Sequence, residues 1–374
     1  MLYGLNDICI IPEEVSDVEH RKDISVRYSD GKLPLFTAPM ASVVNKTNFT
    51  VFTNQGIDAI IPRTSKLEIR LDLIYRTWVA MSLSEFESCI VLSDEFMNDR
   101  TKWVLVDIAN GHMKKLLDLC RRAREKHGES LKLMAGNIAN PRTVRDYAAH
   151  GIDYVRLGIG SGNVCTTSAN SGVHYPMGSL IANARQEIQG LIKGDDWYRG
   201  TFGPVYRIPK LIADGGMKNY DHILKALALG ADYVMLGEIF SKAMEAAGTV
   251  RINSGKIYPV SRFDPGWTWK ENPGIQGLDD HPWKKYKLCR EHYGMSTKRA
   301  QSEMSPMMTK GQLKTSEGIT KIVKIEYSLE GWIENFEHYL RTMISYCNKY
   351  NLESFIGNVT TEIMSPNAFN SYYK

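Results

Sequence analysis

The 374-residue sequence places one cysteine at the end of a glycine-rich turn, Gly158-Ile159-Gly160-Ser161-Gly162-Asn163-Val164-Cys165-Thr166-Thr167. Three alternating glycines let the backbone fold tightly and expose amides and carbonyls to a ligand or an ion. A thiol held on such a turn becomes a nucleophile when its pKa is lowered and it stays reachable. An isolated cysteine reads as a small buried hydrophobe, which suits Cys9, Cys89, Cys120, Cys289 and Cys347. Cys165 differs by its glycines and by the hydroxyls of Thr166 and Thr167. A second group of candidates is Asp214-Gly215-Gly216 with Gly237, where two β-type runs end. Paired glycines make tight turns in any fold, but their main-chain N–H groups also suit a phosphate.

Composition removes several function classes. The 46 basic and 42 acidic residues give a net charge of +4 and are well mixed. That balance argues against nucleic acid and is compatible with a small anionic molecule. No cysteine spacing fits a zinc site or a disulfide scaffold, and the nine histidines form no HExxH or close pair. No apolar run approaches the roughly 18 residues of a membrane span, and the first residues lack the pattern of a secretory leader. The expectation is a cytoplasmic protein without a membrane partner.

The elements that must position these residues follow from periodicity. Eight β-type runs, at 33–40, 57–63, 89–93, 103–111, 131–137, 153–160, 210–216 and 232–237, end in turn-forming residues. Most are apolar without alternation, as strands covered on both faces are. Helical stretches lie between them. In 112–128, Met113, Leu116, Leu117, Cys120 and Ala123 follow helical spacing and Gly128 supplies a stop. Similar units are 140–151, with Asn140 as N-cap and Pro141 at the first helical position, and 219–230. Eight strand–helix repeats predict an α/β fold, a (β/α)8 TIM barrel, over an open Rossmann-like sheet. The expected organisation is one barrel spanning 1–374, with a flap or lid insertion at 249–320. That insertion includes a hairpin at 249–260, a stretch with Trp267, Trp269 and Trp283, and a mobile segment at 306–320. In a barrel the site lies at the carboxyl ends of the strands, and the loops after the seventh and eighth strands commonly bind phosphate.

The chain resembles the family of IMP dehydrogenases and GMP reductases. The resemblance is carried by Val155 to Thr167, by Leu211-Ile212-Ala213-Asp214-Gly215-Gly216, by Val234-Met235-Leu236-Gly237, by Tyr293-Gly294-Met295-Ser296 and by Glu317-Gly318. Gly4-Leu5-Asn6-Asp7-Ile8 and Ala38-Pro39-Met40 also fit in order. Most dehydrogenases of the family carry inserted regulatory domains near the second strand–helix unit and an Arg-Tyr pair in the flap. No such CBS-type domain is visible, and the sequence from Met295 to Glu317 contains no Arg-Tyr. Asp107-Ile108-Ala109-Asn110-Gly111 resembles the reductase form of the cofactor loop.

The resemblance implies NADPH-dependent reductive deamination of GMP, or a close purine nucleoside monophosphate, to IMP and ammonia. Cys165 would add to C2 of the purine, giving a covalent thioimidate, and Thr167 with Glu317 would handle protons. On its own Glu317 reads as a solvated surface charge. Asp214 would hold the ribose, and Gly215, Gly216 and Gly237 would lie at the phosphate end. Tyr293, Gly294 and Met295 would border the base. Asp107, Asn110 and Gly111 would receive the nicotinamide, and carbonyls of Gly158, Gly160 and Cys165 would coordinate potassium. A homotetramer is implied as well.

Departures from the family pattern bear on the phosphate. The usual Met-Asp-Thr reads Met40-Ala41-Ser42, the usual serine after the last loop glycine is Asn163, and the usual Thr-Arg is Thr167-Ser168. Two stretches containing aromatic residues, 185–207 and 262–291, exceed the family's usual length and suit an altered base, a cofactor end, a neighbouring subunit or simple surface packing. The alternatives are an IMP dehydrogenase without regulatory domains and a purine-nucleotide-binding protein that has lost catalysis.

Overall fold

The computed structural model describes residues 1–193, 207–252, 288–304 and 315–372. Eight parallel strands form the central sheet: β1 (Leu35–Thr37), β2 (Ile60–Ile61), β3 (Trp78–Met81), β4 (Lys102–Asp107), β5 (Leu131–Ile138), β6 (Tyr154–Leu157), β7 (Lys210–Asp214) and β8 (Tyr233–Leu236). They pair in the order β1-β8-β7-β6-β5-β4-β3-β2. The remaining seam is closed beside β2, where Thr37 N–H donates to Asp58 O at 2.9 Å and Asp58 N–H donates to Leu35 O at 3.1 Å. The sheet is therefore the (β/α)8 barrel that the repeats predict.

Strand composition follows from having two covered faces. Leu105, Met134, Ile212 and Met235 point into the barrel with Phe36 and Trp78. Their neighbours Val104, Val106, Leu133, Ala135, Leu211, Ala213, Val234 and Leu236 pack outward against the helices. Strict alternation of side-chain direction thus appears in the sequence as an unbroken apolar run.

Helices α1 (Phe49–Asn54), α2 (Leu67–Leu73), α3 (Leu83–Phe86), α4 (Lys114–His127), α5 (Thr143–Ala149), α6 (Met177–Ile192), α7 (Tyr220–Ala228) and α8 (Leu329–Tyr346) surround the sheet. Their ends are set by local chemistry. In α7 the Asn219 side chain accepts from His222 N–H, and in α8 Ser328 accepts from Gly331 N–H. Gly128 ends α4 with φ +52°, behind basic residues Arg124, Lys126 and His127 in the last turn.

Two sequence expectations are corrected. The run at 89–93 is no strand: Glu87–Leu92 is a wide helical turn continuing α3. The Ser82–Glu85 capping box starts a helix there, so Ile90 and Val91 are buried from a helical backbone. The strand in its place is Trp78–Met81, buried along its whole length. At 140–151 the regular helix begins at Thr143, because Asn140 Oδ1 accepts from Arg142 N–H and the first turn is tighter than α.

After β8 the chain leaves the barrel for an antiparallel sheet, β9 (Val250–Ile252), β10 (Leu288–Tyr293) and β11 (Thr320–Lys324), before returning as α8. The strand expected to begin a hairpin at 249–260 pairs with Leu288–Arg290, and the second arm lies outside the described residues. So do Trp267, Trp269 and Trp283, residues 194–206 and residues 305–314. Arg290 anchors this sheet to the barrel through the carbonyls of Ser241 and Ala243, at 2.6 and 2.7 Å.

Candidate active site

The glycine turn follows β6 and cannot carry side chains at its first two glycines. Gly158 has φ +119°, and a Cβ there would stand 2.5 Å from Asp214 O. Gly160 has φ +70°, and its Cβ would stand 2.6 Å from Ser168. The turn then closes with Cys165 N–H donating to Gly162 O at 3.0 Å. Cys165 is a free, partly exposed thiol.

That thiol heads a short relay. Cys165 Sγ donates to Thr167 Oγ1 at 3.3 Å, and Thr167 Oγ1 donates to Glu317 Oε2 at 3.0 Å. Glu317 is brought there by main-chain stitching. Thr166 N–H donates to Glu317 O and Ile319 N–H to Val164 O, each at 2.9 Å, so Cys165 and Gly318 form an antiparallel bridge. Gly318 permits the approach, since a Cβ there would lie 2.9 Å from Val164 O. Gly294 lies on the other side, where a Cβ would meet Val164 Cγ2 at 3.4 Å. Its carbonyl accepts from Thr297 N–H and Oγ1. The structure therefore brings Cys165, Thr167, Glu317 and Gly294 together, with Met295 beside them in the chain.

Beneath the turn lies a buried ion network that the sequence reading did not single out. Arg156 Nη1 is 2.6 Å from Asp107 Oδ1 and Nη2 is 2.8 Å from Asp214 Oδ2. Asp214 Oδ2 also accepts from Asn137 Nδ2 at 2.7 Å, and Asp214 O accepts from Ser161 Oγ at 2.8 Å. Burial alone would push the Arg156 guanidinium down, but Asp214 and Asp107 outweigh it and hold its pKa above the ordinary value. The arginine thereby fixes one oxygen on each carboxylate. Asp214 Oδ1 and Asp107 Oδ2 have no hydrogen-bond partner among the described residues and suit hydroxyl or amide donors of ligands.

Around this floor the candidates divide. Gly215 and Gly216 have φ +95° and +82°. The Gly216 carbonyl faces His222 Nδ1 at 3.1 Å, and Asn6 faces His222 Nε2 at 2.6 Å. The N–H groups of Gly215 and Gly216 have no acceptor among the described residues, as an oxyanion would require. Gly237 lies at the end of β8, close to Met40 and His292. Asn163 is partly exposed on the turn.

In the loop where the resemblance implies a cofactor, Asn110 is exposed, and its Oδ1 accepts from His112 N–H. Its Nδ2 has no partner among the described residues, and it follows Asp107 by three positions in the loop after β4. Gly111 adds no donor there. Its N–H donates to Asn137 O and its carbonyl accepts from Tyr147, so it closes the loop onto β5. Tyr293 is likewise committed elsewhere: buried, its hydroxyl binds Glu303 and its ring lies under Arg299. The carbonyls expected to hold potassium are partly occupied. Gly158 O accepts from Asn137 Nδ2 at 2.8 Å and Gly160 O from Ser168 Oγ at 2.9 Å. A cation would have to share both.

Of the residues missed, Arg156 carried a signal, a lone charge inside an apolar strand; Asn137 and Ser161 carried none.

The chain is similar in sequence to several known proteins. A Caenorhabditis elegans protein named GMP reductase is 26% identical over 259 residues, 69% of this chain and 58% of that protein. Human GMP reductase 1 is 32% identical over 157 residues, 42% of this chain and 41% of that protein. An inosine-5′-monophosphate dehydrogenase of Chlorobaculum parvum is 38% identical over 159 residues, 42% of this chain and 29% of that protein. The matched part of the chain thus spans less than two thirds of each of these relatives. A family model described as IMP dehydrogenase / GMP reductase domain matches residues 3–263. With the barrel and the glycine–cysteine turn, that match makes the chain a member of the IMP dehydrogenase / GMP reductase domain family.

Proposed function

We propose that the protein catalyses NADPH-dependent reductive deamination of GMP, or of a close purine nucleoside monophosphate, to IMP and ammonia. The observation that carries this reading is the relay from Cys165 through Thr167 to Glu317. It gives the thiol proton a route to a carboxylate, leaving a thiolate to bond to C2 of the purine. The same proton can return through Thr167 to the 2-amino nitrogen, so that ammonia departs and a thioimidate remains on Cys165. When bound, the dinucleotide supplies a hydride to C2, and the C–S bond then breaks to release the nucleotide and the thiolate. Asp214 orients the ribose with its free oxygen, while Asp107 and Asn110 hold the carboxamide of the hydride donor.

The missing Arg-Tyr pair between Met295 and Glu317 favours reduction over dehydrogenation. The likeness to the Chlorobaculum dehydrogenase keeps oxidation of IMP as a second reading. Purified protein is assayed with GMP plus NADPH, GMP plus NADH, and IMP plus NAD, following absorbance of the reduced nicotinamide. Consumption of NADPH with GMP, faster than of NADH, and no reduction of NAD with IMP is the expected result. The opposite pattern establishes the dehydrogenase, and nucleotide binding without turnover in any arm establishes a non-catalytic protein. Light scattering tests the homotetramer that the resemblance implies.

A further inference from the structure

We propose that His292, oriented by Ser42, is the side chain that grips the 5′-phosphate of the nucleotide in this chain. The proposal rests on the nucleotide-site reading above and adds a residue that the sequence pattern does not assign. Four residues depart from the family pattern near the expected phosphate: Ala41, Ser42, Asn163 and Ser168. The Ser168 hydroxyl is bonded to Gly160 O. Ser168 thus offers its hydroxyl proton elsewhere, and a side-chain donor beside Gly237 would add to the main-chain N–H groups of Gly215 and Gly216.

His292 lies beside Gly237. It is 2% exposed, and a Cβ at Gly237 would stand 3.7 Å from its Cε1. Ser42 Oγ is 3.0 Å from His292 Nδ1. Ser42 is 0% exposed, and its hydroxyl has no other partner among the described residues. A buried hydroxyl must donate its proton somewhere. Here it donates to Nδ1, which assigns the ring proton to Nε2. Nε2 in turn has no partner among the described residues, leaving one N–H donor on a nearly buried ring beside Gly237.

Charge agrees with this geometry. Burial first, then Lys321 across the strand pair and Arg290 two residues back, push the His292 pKa down to about 4. The ring is thus neutral at physiological pH, and the positive field around it comes from Lys321 and Arg290. A phosphate oxygen would satisfy the Nε2 donor within that field.

The test compares His292→Phe, which keeps a ring and removes the donor, with His292→Gln, whose amide nitrogen returns one. Both full-length variants are assayed for KM and kcat with GMP, and titrated by calorimetry with GMP, guanosine and inorganic phosphate. His292→Phe is expected to raise KM for GMP about 10- to 100-fold, the worth of a hydrogen bond to a charged group, with kcat within about twofold. His292→Gln restores most of it, and guanosine affinity is the same in all three proteins. Ser42→Ala, which frees the tautomer, gives a smaller rise in KM and serves if His292→Phe does not fold. Unchanged KM in the variants, or equal losses for GMP and guanosine, overturns the proposal. Competition by inorganic phosphate that is lost in His292→Phe supports it. A wild-type protein that binds no purine nucleotide overturns the underlying site reading instead.

Discussion

The lower and upper halves of the barrel interior are built by the same strands and do opposite things. Along β6, Tyr154 packs among Phe36, Trp78 and Tyr233, with ring centroids 5.1–6.1 Å apart. Two residues further, on the same face, Arg156 joins two carboxylates. Along β4 the inward sequence is Trp103, Leu105, Asp107, and along β7 it is Ile212, Asp214. The lower half is an apolar plug held by packing. The upper half is a charged floor held by one arginine. A two-residue period lets one short strand serve both, with the change from apolar to ionic falling where the strands open to the site.

Four substitutions break or sharpen that contrast, in falling order of effect. Cys165→Ala, above the floor and outside both halves, should cut turnover at least about 10^3-fold while leaving the melting temperature unchanged. Retained turnover would remove the covalent mechanism. Arg156→Met leaves Asp107 and Asp214 facing each other without their cation. It should cost about 3–5 kcal/mol in urea unfolding, together with most nucleotide affinity. A loss below about 1 kcal/mol would mean that the floor is not held by that charge. Thr167→Ala interrupts the proton route and should lower kcat about 10^2-fold with nucleotide affinity intact, read from steady-state and binding measurements together. Ile212→Val, in the lower half, should cost about 0.5–1.5 kcal/mol and leave kcat alone. A kinetic effect there would show that the two halves are mechanically coupled.

How much of this was readable in the sequence depends on whether a residue's role is local. The barrel was legible because strands such as Val104–Val106 and Val234–Leu236 are apolar on both faces, whatever their partners. The run at 89–93 reads as a strand where Trp78–Met81 is one, since a short apolar run does not reveal its period and the deciding capping box lies upstream. The glycine–cysteine turn announced itself, because only glycine tolerates those backbone angles and approaches. Glu317 was placed by resemblance alone; its meaning comes from a main-chain seam with residues 150 positions away. Gly111 and Tyr293 lay in the right segments, yet their groups are already engaged by Tyr147 and Glu303. Arg156 stood out as a lone charge in an apolar strand, but its partners, like those of His292, needed tertiary structure, which alone decides which buried charge or donor faces which.

The seam that delivers Glu317 also sets an order of loss. Thr167 and Glu317 are 150 residues apart, joined near the thiol by one side-chain hydrogen bond and flanked by two main-chain ones. Each is worth only about 0.5–1.5 kcal/mol net, far less than cooperative disruption of eight paired strands. Rising denaturant should therefore abolish the proposed turnover while the barrel's circular dichroism is still that of the native state. Activity in this protein then reports the tightness of a clasp, and spectroscopy the integrity of the vessel beneath it.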